Sequence, residues 1–212
     1  MFDLNFFKKY KNKIALVNEK DELISYNDLF DLTKNLSEKT NSNSLNFLIC
    51  DNNFESIIFY IALVSSNSPT LLIDEKTNYE HLKSLIKRYK PNKIFINKNI
   101  KSFKDYKKIF SFRNFLVYKR KIKLSLRINK QLLLLVPTSG STGSAKYVRL
   151  SKENLIYNTK SIVKYLKLSK NDTCITTLPM NYVYGLSVIN THLYIGAKII
   201  LNRSSVIEKN FW

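Results

Sequence analysis

From residue 46 onward, short apolar runs alternate with capped, helix-like stretches, and this alternation narrows the possible folds more than any other feature. Asn46-Phe47-Leu48-Ile49-Cys50 reads as a buried strand. Asn52-Asn53 then caps residues 54–65, a helix too apolar for a surface position. Thr70-Leu71-Leu72-Ile73 reads as a second strand. Asn78 opens a helix with Leu82, Leu85 and Ile86 inward, and Lys93-Ile94-Phe95-Ile96 is a third strand. Parallel strands need crossover connections, so a β-α-β-α-β order predicts an α/β fold of parallel-rich sheets flanked by helices. Upstream, residues 14–17 and 23–26 flank the turn-like 18–22 and read as a hairpin. Asn27-Asp28 would cap a helix carrying Leu29, Leu32 and Leu36. No repeat and no Pro/Gly/Ser linker divides the chain, so residues 1–212 read as one unit.

Composition excludes several classes. With 212 residues, 44% hydrophobic and 24% charged, the chain can bury a core. Its 4 Gly and 4 Pro rule out collagen-like sequence. No apolar run approaches the roughly 18 residues of a membrane span. Residues 1–8 lack the apolar core of a signal peptide. Cys50 and Cys174 are too few for a disulfide framework, which fits a reducing, cytoplasmic setting.

The net charge is +19. Such a surplus can bind polyanions, yet abundant Lys, Asn and Ile also follow from an AT-rich coding sequence without functional pressure. Residues 97–130 concentrate Lys and Arg against one acid, Asp105, with Phe103, Tyr106, Phe110, Phe112, Phe115 and Tyr118 interleaved. A nucleic-acid groove would use such residues, but no RNA-binding, zinc or helix-turn-helix pattern accompanies them. The favoured expectation is a solvated connecting segment whose rings pack on the domain.

Chemistry concentrates after the apolar strand at residues 132–136. There Pro137 leads into Thr138-Ser139-Gly140-Ser141-Thr142-Gly143-Ser144-Ala145-Lys146, followed by Tyr147-Val148-Arg149-Leu150 and a helix from Ser151. Glycines let the backbone turn and approach a ligand closely. Successive N–H groups in such a turn form an anion-binding concavity. The hydroxyls of Thr138, Ser139, Ser141 and Thr142 add donors, and Lys146 adds a charge, which suits a polyphosphate. The spacing is not G-x-x-x-x-G-K-[ST], nor G-x-G-x-x-G.

This loop resembles the phosphate-binding signature T-S-G-S-T-G-x-P-K of the adenylate-forming enzymes: acyl-CoA synthetases, luciferases and peptide-synthetase adenylation domains. Ala145 replaces the signature's proline, which removes no donor. The resemblance extends over nearly the whole chain. Residues 7–17 with 24–29 look like the family's opening, and Ser151-Lys152-Glu153-Asn154-Leu155 takes the place of its S-H-x-N-L. Leu178-Pro179-Met180-Asn181-Tyr182-Val183-Tyr184-Gly185-Leu186 looks like its acyl-site segment, with Tyr182 where many relatives carry histidine. By that resemblance Asn181, Tyr182, Tyr184 and Gly185 line an acyl pocket. Plain core packing is the alternative for the two tyrosines.

The resemblance implies ATP and Mg²⁺ as cofactors and a carboxylic acid as substrate. The carboxylate attacks the α-phosphate, pyrophosphate leaves, and CoA or a carrier-protein thiol takes the acyl group. Thr138, Ser139, Gly140, Ser141, Thr142, Gly143 and Lys146 would hold the leaving phosphates. The family's Y-G-x-T-E segment, its ribose-binding aspartate and its lid lysine have no counterpart in 1–212. The expectation is an amino-terminal portion of such a domain, inactive or nearly so alone, with no catalytic residue of its own and no metal site. It would complete its site with a separate carboxyl-terminal half or act as a non-catalytic nucleotide-binding fragment. His81 is expected exposed and His192 packed, and neither has a partner at metal or triad spacing.

Overall fold

A computed structural model describes residues 3–97, 103–124, 127–138, 146–204 and 207–209. Helix α1 (Leu4–Lys8) leads into a hairpin of β1 (Ile14–Val17) and β2 (Leu23–Ser25), then helix α2 (Tyr26–Thr40). The alternating stretch gives β3 (Asn46–Cys50), α3 (Phe54–Ser65), β4 (Thr70–Asp74), α4 (Tyr79–Tyr89) and β5 (Lys93–Asn97). A second hairpin, β6 (Tyr106–Phe112) and β7 (Phe115–Arg120), precedes β8 (Leu134–Pro137) and β9 (Tyr147–Leu150). Then come α5 (Lys152–Tyr165), β10 (Thr173–Ile175), α6 (Val183–Ile195) and β11 (Lys198–Ile200).

The strands form a seven-stranded sheet, β6-β7-β5-β3-β4-β8-β9, and a four-stranded sheet, β10-β11-β1-β2. The centre of the large sheet, β5-β3-β4-β8, is parallel, and its margins are antiparallel. Side chains alternate between its faces. Leu48, Cys50, Leu72, Phe95, Leu134 and Val136 pack in one core with α3. Phe47, Ile49, Leu71, Ile73, Ile94 and Ile96 pack in another with Leu82 and Leu85 of α4. Helices on both faces explain why all five residues of β3 are buried and apolar runs replace alternation. The first core continues through Leu186, Ile189 and Leu193 of α6 to Ile199 of the small sheet. Helix α3 therefore lies within the core, and the Tyr60 hydroxyl donates to Asn190 Oδ1 of α6 at 2.8 Å. Truncating such a side chain, Phe59 for example, costs about 3–5 kcal/mol.

Asn53 and Asn78 cap α3 and α4 as expected, each side chain accepting a backbone N–H. The cap of α2 is corrected: Ser25, not Asn27-Asp28, is the capping residue. Its hydroxyl accepts from Asp28 N at 3.0 Å, and the Asp28 carboxylate accepts from Ser25 N at 3.1 Å. That reciprocal box satisfies two free amides at once and draws Asn27 and Asp28 into the first turn. The basic stretch contains the hairpin β6-β7, which extends the sheet beyond β5. Its Phe103, Tyr106, Phe115 and Tyr118 are buried, so these rings pack on the domain and offer no stacking platform for bases. No helix among the described residues is long and apolar enough to cross a membrane.

Candidate active site

The loop expected to bind phosphate hangs from the carboxyl end of β8, the edge of a parallel sheet where α/β folds place ligands. β8 pairs antiparallel with β9 from Leu134↔Leu150 to Pro137↔Tyr147. Thr138 then closes the neck: its N–H donates to Lys146 O at 2.9 Å and its hydroxyl to the same oxygen at 3.2 Å. Ser139, Gly140, Ser141, Thr142 and Gly143 lie outside the described residues, so of the expected phosphate ligands only Thr138 and Lys146 are placed.

Lys146 is exposed and lines a cleft of about 1050 Å³ with Arg88, Arg127, Arg149, Tyr89 and Tyr147. The Tyr89 and Tyr147 rings meet edge to face at 5.9 Å. Burial raises the Tyr147 phenol pKa, and Tyr89 adds to the effect. Four cations and no carboxylate among the described lining residues make this cleft electropositive. Ser151 fixes the start of α5 through a box with Asn154.

The second candidate element is the segment before and into α6. Asn52, at the end of β3, clamps it. Its Nδ2 donates to Leu178 O at 3.1 Å and to Asn202 O at 3.3 Å, and its Oδ1 accepts from Met180 N at 3.1 Å. Gly185 lets the first turn of α6 settle on this segment: a Cβ there would meet Pro179 O at 2.4 Å. Asn181 is buried, and its Oδ1 has no hydrogen-bond partner among the described residues. In this structure the two tyrosines stand outside the core: Tyr182 is 41% and Tyr184 67% exposed. Val183 between them is exposed as well, so the segment presents three consecutive exposed apolar or aromatic side chains.

Sequence reasoning missed a third feature. Arg203, beyond β11, reaches across to the carboxyl ends of β3 and β4. Its Nε lies 2.9 Å from Asp51 Oδ2 and its Nη2 3.5 Å from Glu75 Oε2. Burial, then Asp51, raises the Glu75 pKa, while Arg203 and a 3.0 Å hydrogen bond from Asn97 Nδ2 oppose the rise. These residues are far apart in sequence and only the folded topology joins them. They act as a tether between the two sheets. Both carboxylates being engaged by Arg203, they do not form a metal cradle. Among the described residues no group of three or more His, Cys, Asp or Glu could hold a metal ion.

The bland expectations hold for the histidines. His81 is exposed, and His192 is buried with Nδ1 2.8 Å from Val188 O. Cys50 is buried in β3, and burial pushes its thiol pKa up. Cys174 is half-buried against the core.

Solved structures share this fold. ATP-bound MatB from Rhodopseudomonas palustris superposes with a TM-score of 0.71 at 16% identity, over 96% of this chain and 46% of that one. O-succinylbenzoate coenzyme A synthetase (MenE) from Bacillus subtilis, in complex with AMP, gives a TM-score of 0.71 at 17% identity, over 94% and 55%. CmiS6 gives 0.75 at 16%, over 93% and 51%. The chain spans about half the length of these proteins. No curated protein matches its sequence. A sequence model described as "AMP-binding enzyme" matches residues 5–212, and the chain belongs to that family.

Proposed function

We propose that this chain is the amino-terminal portion of an adenylation domain and supplies its ATP phosphate loop and one wall of its acid pocket. The reaction would be activation of a carboxylic acid to an acyl-adenylate, in a ligase of the acid–CoA or acyl-AMP type. The observation that carries this reading is the loop of Thr138 to Lys146, necked by the Thr138–Lys146 hydrogen bonds at the carboxyl end of β8. Backbone amides and hydroxyls of Thr138, Ser139, Gly140, Ser141, Thr142 and Gly143 would hold the β- and γ-phosphates. Lys146 would neutralise charge on the departing pyrophosphate, the main demand at phosphorus. Bound Mg²⁺ would supply further charge neutralisation, but the described residues do not fit it.

Asn181, Tyr182, Tyr184 and Gly185 would form the acid-pocket wall. The exposed run Tyr182, Val183 and Tyr184 supports closure by a further polypeptide segment, either a carboxyl-terminal half or a separate chain carrying it. CoA or a carrier-protein thiol would then accept the acyl group. Two free cysteines support a cytoplasmic location. ATP–pyrophosphate exchange across a panel of carboxylic acids tests the reading. Acid-dependent exchange is expected when this chain is combined with the missing half. No exchange with any acid in that combination would leave a non-catalytic nucleotide-binding fragment instead.

A further inference from the structure

Strands β5, β7 and β6 set three lysines in one cross-strand row. Lys93 stands opposite Lys119, and Lys119 opposite Lys107. Directly opposed residues share a face, here the α3 side where Phe95 and Val117 point. Like charges in that relation destabilise a sheet. Lys93 is buried and donates to Lys39 O at 2.9 Å and Asn41 O at 3.2 Å, at the end of α2. Burial and then Lys119 lower its pKa. Lys107 and Lys119 are exposed and take part in none of the ion pairs among the described residues.

With Lys93, Arg120, Lys121 and Lys123, these two lysines line a cleft of about 490 Å³ that Ser42, Ser44 and Asn92 also line. No carboxylate is among its described lining residues. Arg120 is held in place, its Nε donating to Pro91 O at 3.2 Å and its Nη2 to the Tyr106 hydroxyl at 2.6 Å. The cleft lies where β5 begins, at the amino end of the parallel strands, whereas the phosphate loop lies at their carboxyl end.

We propose that this cleft is a second anion site, which takes a small molecule bearing two or more linked phosphates. An anion there relieves the repulsion within the lysine row, which no carboxylate among the described lining residues offsets. A small ligand is favoured over a nucleic acid because no aromatic ring is among the described residues lining the cleft.

The test is thermal unfolding, with tripolyphosphate, of the full chain carrying Lys146→Ala, which weakens the phosphate loop's own hold on the ligand and is the background for every variant below. At ten times its Kd, a ligand that binds only the folded state raises the midpoint of a domain this size by about 3–6 °C. The double variant Lys107→Gln/Lys119→Gln is expected to lose that shift. Lys160→Gln/Lys164→Gln, on exposed positions of α5, removes equal charge and is expected to keep it. Equal loss in the two double variants would mean binding by net charge alone, and no shift at all in the Lys146→Ala background would mean binding at the loop. Either result overturns the proposal. So does tighter binding of a single-stranded oligonucleotide than of tripolyphosphate, lost in Lys107→Gln/Lys119→Gln.

Discussion

Replacing Gly185 by alanine separates local helix propensity from the packing of the candidate acid site. Propensity alone predicts stabilisation, since alanine is better than glycine within a helix by about 1 kcal/mol. The structure predicts the opposite sign. A Cβ at Gly185 would meet Pro179 O at 2.4 Å, Leu178 O at 2.6 Å and Pro179 C at 2.9 Å. All three are backbone atoms, so no side chain can swing away. Restoring ordinary contact at 3.4 Å from 2.4 Å requires the first turn of α6 to lift by 1.0 Å. That movement strains the Asn52 clamp, whose bonds to Leu178 O and Met180 N are both 3.1 Å. Overpacking of this kind costs about 2 kcal/mol, and two lost hydrogen bonds about 2 more. Less the propensity gain, the net destabilisation is about 3 kcal/mol. For a domain of this size the midpoint of thermal unfolding falls by about 6–12 °C, readable by circular dichroism. A variant as stable as the parent, or more so, would refute the close packing of α6 on residues 178–179.

Asn52→Ala removes three hydrogen bonds across elements, so urea unfolding is expected to show a loss of about 2–4 kcal/mol. A loss under 0.5 kcal/mol, the scale of ordinary surface changes, would mean that the clamp is ornamental. Glu75 keeps its proton in the folded state to higher pH than in the unfolded chain. Its contribution is therefore full below the ordinary carboxylate pKa of 4.5 and declines as pH rises through the raised value. Glu75→Gln is expected to remove that downward slope in unfolding free energy measured from pH 4.5 upward. An unchanged slope would contradict it. Tyr182→Ala and Tyr184→Ala, at exposed positions, are expected to change stability by less than about 0.5 kcal/mol while altering which acids support ATP–pyrophosphate exchange. A large stability loss would return both rings to a packing role.

Much of the fold was legible because its signals are local. Asn53 and Asn78 cap α3 and α4 where their side chains can reach a free amide, and apolar runs without alternation mark strands covered on both faces. The hairpin β6-β7 was not legible. Its β6 carries exposed lysines at Lys107 and Lys108 and a register shift between Lys108 and Phe110, which breaks the two-residue period. The start of α2 was misplaced because Asn27 and Asp28 are good capping residues in isolation, and only the reciprocal bond to Asp28 selects Ser25.

Pairings between distant segments carry no local signal. Leu16 opposite Ile199 and Arg203 beside Asp51 and Glu75 arise from topology alone. At the candidate site, the loop of residues 138–146 stands out in the sequence because its residue types and spacing suit a polyphosphate. The exposure of Tyr182 and Tyr184 was not legible, since an aromatic in a helix reads equally well as core.

The central claim is that the loop ending at Lys146 faces the β- and γ-phosphates of ATP. Isothermal titration of ATP and of AMP into the parent chain and into Lys146→Ala tests it directly. A charge-assisted contact is worth about 1.5–3 kcal/mol, so ATP affinity is expected to fall about 10- to 100-fold in the variant. AMP affinity, lacking those phosphates, is expected to stay within about twofold, a difference of under 0.5 kcal/mol. An equal loss for ATP and AMP, or no loss for either, would contradict the placement.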